Sequence, residues 1–147
     1  MSVSNTIKQQ LKDKVEACSS VQVVYGSMKN NPSGWPAVFV TPADVEGEFS
    51  SNAENSRIYS FNLACAFPIG EDYPAPDNED RLEYAEETIA TVIDEIINAV
   101  DTDFELDGSP VLYVNAADLY WDYYDYEGGE ARAANITLRV YTEITVV

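Results

Sequence analysis

RIYSFNLACAF, residues 57–67, alternates between large apolar side chains and smaller or polar ones. Tyr59, Phe61, Leu63, Cys65 and Phe67 share one parity, and Ile58, Ser60, Asn62, Ala64 and Ala66 the other. Successive side chains of a strand point to opposite faces, so the stretch predicts a central strand with one strongly apolar face laid on a core.

The neighbouring segments supply the rest of a sheet and two helices. Upstream, Ile7, Leu11, Val15 and Cys18 recur at helical spacing behind Ser4 or Asn5 as a cap, predicting a helix over 5–18 that leaves Lys8, Lys12 and Lys14 to solvent. VQVVYG (21–26) and AVFVT (37–41) read as strands joined by the turn-rich KNNPSGWP (29–36). From Pro42 to Ser56 the chain shows little periodicity and one large apolar residue, Phe49, which predicts a fifteen-residue loop, either disordered or ordered by a partner.

Downstream, Leu82, Ala85, Ile89, Val92, Ile93, Ile96 and Val100 form the stripe of a long helix capped by Asp77 or Asn78. About 22 residues at 1.5 Å each give a length of about 33 Å, enough to cross a sheet. Beyond an Asp107-Gly108 turn, VLYVN predicts a strand, and LYWDYYDY with ARAANITLRVYTEITVV a closing hairpin in which Ile136, Leu138, Val140, Ile144 and Val146 face inward. The order α-β-β-β-α-β-β-β argues for one α+β domain over residues 1–147, a mostly antiparallel sheet with one long and one short helix packed on it. The length and the 46% hydrophobic content are sufficient for one core.

Charge is concentrated in one place. The net charge is -18, and residues 71–130 hold nineteen Asp and Glu against Arg81 alone, while both ends are nearly balanced. On the long helix Glu79, Glu83, Glu86, Glu87, Asp94 and Glu95 predict an acidic face, with like-charged neighbours that each cost a few tenths of a kcal/mol. Such a surface repels phosphate and anionic lipid, which argues against nucleic-acid or membrane binding there. No apolar run is long enough to span a bilayer and the N-terminus lacks a signal-peptide core, so the expected site of synthesis is the cytoplasm.

The sequence contains no histidine, Walker A motif, dinucleotide fingerprint, Cys-x-x-Cys or nucleophile elbow. Cys18 and Cys65 fall on apolar faces and read as buried thiols. Asp101, Asp103, Glu105, Asp107 and Gly108 depart from an EF-hand in the place of the glycine and the missing closing glutamate. We therefore expect neither an enzyme nor a metal or cofactor site. The aromatic run Leu119–Tyr126 is the unusual local feature. In a strand both of its faces carry aromatics, so Tyr120, Trp121, Tyr123, Tyr124 and Tyr126 are candidates for a subunit interface, beside the alternative of ordinary edge-strand packing.

The layout of a short first helix, PAVFVTP with a long polar loop, RIYSFNLACAF, the helix EDRLEYAEETIATVIDEIINAV and the final hairpin resembles the tail-terminator, or tail-completion, proteins of long-tailed bacteriophages. The resemblance covers nearly the whole chain and rests on no sharp motif, so other neck or head-completion proteins share it. It implies a hexameric ring in the virion neck, assembled in the host cytoplasm, that caps the tail tube, ends its polymerisation and meets a head-side neck or connector protein while DNA passes without specific binding. It also makes the loop with Asp44, Glu46, Glu48 and Phe49 the arm that reaches the tail-tube protein. A ring needs two different complementary patches on each subunit, which a weakly basic first helix and an acidic middle supply. An acidic nucleic-acid mimic that inhibits a DNA-binding enzyme is the alternative of a different class, and adaptation to high salt a third.

Overall fold

A computed structural model describes residues 2–49, 54–70, 80–102, 106 and 111–145. Among these residues seven elements follow in chain order: α1 (Val3–Glu16), β1 (Val23–Tyr25), β2 (Ala37–Phe49), β3 (Glu54–Pro68), α2 (Arg81–Thr102), β4 (Val111–Tyr126) and β5 (Gly129–Thr145). The strands form one sheet in the order β1-β2-β3-β5-β4. Among the described residues only the β1–β2 pair is parallel. The α+β architecture expected from the sequence is the one observed, and RIYSFNLACAF lies in the middle strand.

Four local expectations are corrected. Helix α1 starts at Val3, because the Ser2 hydroxyl accepts from the Asn5 amide at 3.1 Å and so caps it ahead of Ser4 and Asn5. Helix α2 is capped by Asp80, whose Oδ1 accepts from the amides of Leu82 at 2.8 Å and Glu83 at 3.1 Å; Asp77 and Asn78 lie outside the described residues. VLYVN and LYWDYYDY are one strand, β4, and the phase of its alternation is broken where the pairing with β5 shifts between Val111 and Tyr113 and between Ala116 and Asp118. Of the expected loop from Pro42 to Ser56, residues 42–49 and 54–56 are the distal parts of the antiparallel strands β2 and β3, with Val45 paired to Tyr59 and Phe49 to Asn55 across a shift between Pro42 and Val45, and residues 50–53 lie outside the described residues. Its polar, aperiodic sequence lacks an apolar face, so the alternation that reveals the proximal half is absent there.

Both helices lie on one face of the sheet. Ile7, Leu11 and Val15 of α1 and Ala85, Ile89, Val92, Ile93, Ile96 and Val100 of α2 are buried. They meet Val38, Val40, Phe61, Leu63, Cys65, Ala134, Ile136, Leu138 and Val140 in one cluster. Each fully buried large aliphatic or aromatic side chain contributes about 1.5–3 kcal/mol, so this face supplies most of the hydrophobic stabilisation. Cys18 and Cys65 are buried free thiols, and burial pushes the Cys65 thiol up to about 12. The inward side chains of β5 follow the expected parity at 136, 138 and 140; the side chains of Ile144 and Val146 lie outside the described set.

A second, smaller cluster sits on the opposite face. Ala64 and Ala66 of β3 and Ala131 and Ala133 of β5 form a low floor, walled by Phe39 of β2 and Tyr124 of β4. On a flat sheet β2 and β4 are about 14 Å apart, at about 4.8 Å per strand. The Phe39 and Tyr124 rings nevertheless approach to 5.4 Å between centroids. The small floor residues let the outer strands curl toward each other and the rings close over them. Tyr25 stacks on Phe39 at 5.8 Å, and Tyr126 meets Trp35 edge-on at 4.8 Å, which extends the aromatic row toward both edges. The β1–β2 connection straps this face, since the Glu127 amide donates to the Asn30 carbonyl at 2.7 Å.

Candidate interaction surface

The aromatic run lies on β4, an edge strand of the sheet. Pairing with β5 sets its sides: Trp121 opposite Ala134 and Leu119 opposite Ile136 share the helix side, whereas Tyr120, Asp122 and Tyr124, opposite Asn135, Ala133 and Ala131, take the other. The structure divides the five candidate aromatics. Tyr124 and Tyr126 are half-buried against the alanine floor, while Tyr120 (52% exposed), Tyr123 (49%) and Trp121 (38%) face outward, beside Leu119 at 48%. The Tyr124 hydroxyl oxygen is buried with no hydrogen-bond partner, and burial raises its pKa. Exposed Asp118, Asp122 and Asp125 interleave the aromatics, as charges commonly do on edge strands that must avoid indiscriminate pairing.

Arg132 of β5 organises the helix side of this edge. Its Nε donates to Glu86 Oε2 of α2 at 2.8 Å and its Nη1 to the Asp122 carbonyl at 2.9 Å. The same guanidinium lies 5.2 Å from the Trp121 ring centroid and 4.5 Å from that of Tyr123. Trp121 and Tyr123 are thus held in place by a cation while still presenting surface to solvent.

The acidic face of α2 is less uniform than its composition suggests. Glu83, Glu87 and Asp94 are exposed, Glu86 is engaged by Arg132, and Glu79 lies outside the described residues. Glu95 accepts from the Ser20 amide at 2.9 Å and from the Ser20 hydroxyl, tying α2 to the segment that leads into β1. Those hydrogen bonds favour the carboxylate and lower its pKa.

Of the predicted arm, Asp44 and Glu46 are exposed on β2 with Val45 between them at 58% exposure. Glu48 and Phe49 pair with Ser56 and Asn55, and their side chains lie outside the described set. The structure brings none of these arm residues to the β4 aromatics; arm and aromatic run occupy opposite ends of the sheet, because Phe49 pairs toward Thr145 through Asn55 and Glu54, whereas Tyr124–Tyr126 pair with Gly129–Ala131.

The opposite edge of the sheet is β1. Beside β1 a groove of about 360 Å³ is lined by Glu16, Val21, Gln22, Val23, Tyr25 and Ser33. Lys8 and Lys12 of α1 lie along Gly26, where an added Cβ would come 2.9 Å from Lys8 Cε and 3.7 Å from Lys12 Cδ, and the Lys29 ammonium lies 5.9 Å from the Tyr25 ring centroid. The i, i+4 spacing of Lys8 and Lys12 was the available signal, but only the fold brings them to the Gly26 end of β1, with Tyr25 and Lys29 on the other side of the same edge. Among the described residues no cluster of three or more His, Cys, Asp or Glu side chains suited to a metal comes together, and no helix is long and apolar enough to cross a membrane. Asp103, Glu105 and Asp107 of the acidic stretch lie outside the described residues.

No protein-family model and no curated protein matches the chain. Among solved structures, a chain of the "Virion of native gene transfer agent (GTA) particle" is similar to it over 97% of this chain and 95% of that one, with a TM-score of 0.50 and 14% sequence identity. At that identity the likeness is one of fold, and it spans both helices, the sheet and the hairpin arm.

Proposed function

We propose that the chain is a structural protein of a tailed, phage-like particle, and that it acts as a tail terminator: its subunits form a ring, the ring caps the tail tube and stops its growth, and the other side of the ring receives the head-side neck. The observation that carries this reading is the end-to-end fold likeness to a chain of a gene transfer agent virion. The surfaces support it. Two sheet edges of unlike character suit a heterologous contact that closes on itself. The β2–β3 hairpin, with Asp44, Glu46 and Val45 exposed, is the element suited to reach the tube, in place of the loop expected from sequence. The exposed carboxylates of α2 suit a wall that passing DNA does not adhere to.

Native mass spectrometry and negative-stain microscopy of the purified chain, alone and with tail tubes of the same particle, test the proposal. Six-membered rings seated on tube ends are expected. Chains that neither assemble nor decorate tube ends contradict it, and tight binding to a DNA-processing enzyme by a monomer favours the nucleic-acid-mimic alternative.

A further inference from the structure

We infer that the subunit contact joins the β4 edge of one copy to the β1 edge of the next, with Asp118, Tyr120 and Asp122 set against Tyr25 and Lys29 and with Lys8 at the rim of the contact. The inference rests on the ring reading above and names the surfaces that reading leaves open.

Register carries the geometric part. Val23 pairs with Ala37, Ala37 with Ala66, Ala66 with Ala133 and Ala133 with Asp122. Two residues along, Tyr25 pairs with Phe39, Phe39 with Ala64, Ala64 with Asn135 and Asn135 with Tyr120. The β1 edge and the 120–122 stretch of β4 are therefore the two ends of the same rows across the sheet. A ring closes only if its two complementary patches stand at one height along the axis; patches at different heights give a helix. With the strands set along the ring axis, this pair of patches meets that condition. Strand direction agrees as well. β1 and β2 run one way, β3 the other, β5 with β2, and β4 against it, so β4 of one copy meets β1 of the next antiparallel.

Chemistry carries the rest. Tyr120, with half its surface exposed, stands between Asp118 and Asp122 on the sheet side away from the helices. Tyr25 lies on that same side, against Phe39, with the Lys29 ammonium above its ring, while Lys8 and Lys12 of α1 reach the Gly26 end of β1 from the helix side. Carboxylates thus face the Lys29 ammonium, with Lys8 at the rim of the edge, and an exposed aromatic faces a groove of about 360 Å³ whose walls include Val21, Val23 and Tyr25 and which carries one carboxylate of its own, Glu16. Like edges repel, so the contact is directional and excludes a symmetric β4–β4 pair.

Two charge-swapped chains test it: Asp118→Lys with Asp122→Lys, and Lys8→Glu with Lys29→Glu. Unchanged circular dichroism of each monomer establishes that both fold. By native mass spectrometry each alone is expected to lose the ring, since its two edges then carry charge of one sign. An equal mixture is expected to restore rings in which the two chains alternate, because every junction again joins opposite charges. Rings from either swapped chain alone, or a mixture of folded chains that stays monomeric, overturn the interface while leaving the wild-type ring standing. A wild-type chain that forms no ring removes the ring reading and the interface together.

Discussion

Glu95 belongs to the acidic stretch by sequence and to the fold's internal wiring by structure. Its hydrogen bonds from Ser20 hold the folded pKa below the ordinary value of 4.5, so the stability it contributes is fully present above that value and is lost as pH falls through the lower, folded one. Glu95→Gln should be less stable at neutral pH, and its stability should decline less steeply as the pH drops below about 4.5, as measured by denaturant titration across that range. Tyr124 makes the opposite case. Its hydroxyl is buried without a partner, so Tyr124→Phe keeps the ring against Phe39 and removes a desolvated polar group. We expect the variant to match the parent chain or exceed it by up to about 1 kcal/mol, and a loss of more than that in chemical denaturation contradicts the packing described. Neither role was legible in the sequence, where Glu95 is one of six helical acids and Tyr124 one of five aromatics. Contacts with Ser20, 75 residues away, and with Phe39 are set by the tertiary fold.

Elements with a buried face were the legible ones. β3 and α2 were readable because their apolar residues repeat at two and at about 3.6 residues, and the residues so identified, from Tyr59 to Cys65 and from Ala85 to Val100, are buried. Where the period breaks, the reading broke with it: the irregularities near Leu112 and Ala117 divided β4 into two apparent strands, and the arm of β2 and β3, whose distal half has no apolar face, read as a loop. Caps were missed because several Ser, Asn and Asp residues compete near each helix start, and among the described residues it is Ser2 and Asp80 that accept from the helix amides. Asp80→Ala should cost about 1 kcal/mol in thermal or chemical unfolding. The arm is paired strand, with β3 bonded on its far side to β5, so deleting residues 44–54 would remove part of the sheet. Asp44→Lys with Glu46→Lys is the gentler change. Both sites are exposed, so stability should stay within about 0.5 kcal/mol, while rings form and attachment to tail tubes is lost by microscopy; retained attachment removes the arm from the tube contact.

Over the whole molecule, the net charge of -18 is distributed to several ends. Part of the acid content holds the fold, at Glu86 and Glu95; part is interleaved with the exposed aromatics of the edge strand, at Asp118, Asp122 and Asp125; and the carboxylates of Glu83, Glu87 and Asp94 are exposed on α2. The aromatic edge and the β1 edge stand at the ends of common rows through the sheet, with the arm at the other end of the strands, so the proposed ring and tube contacts would use separate surfaces. Termination is the claim from which the rest of the functional account follows. It is tested most directly by adding the purified chain to polymerising tail-tube protein of the same particle and measuring tube lengths by electron microscopy. Tubes that stop short, with a ring on the growing end and a mean length that falls as the ratio of chain to tube protein rises, are the predicted result. A length distribution that is the same with and without the chain contradicts it.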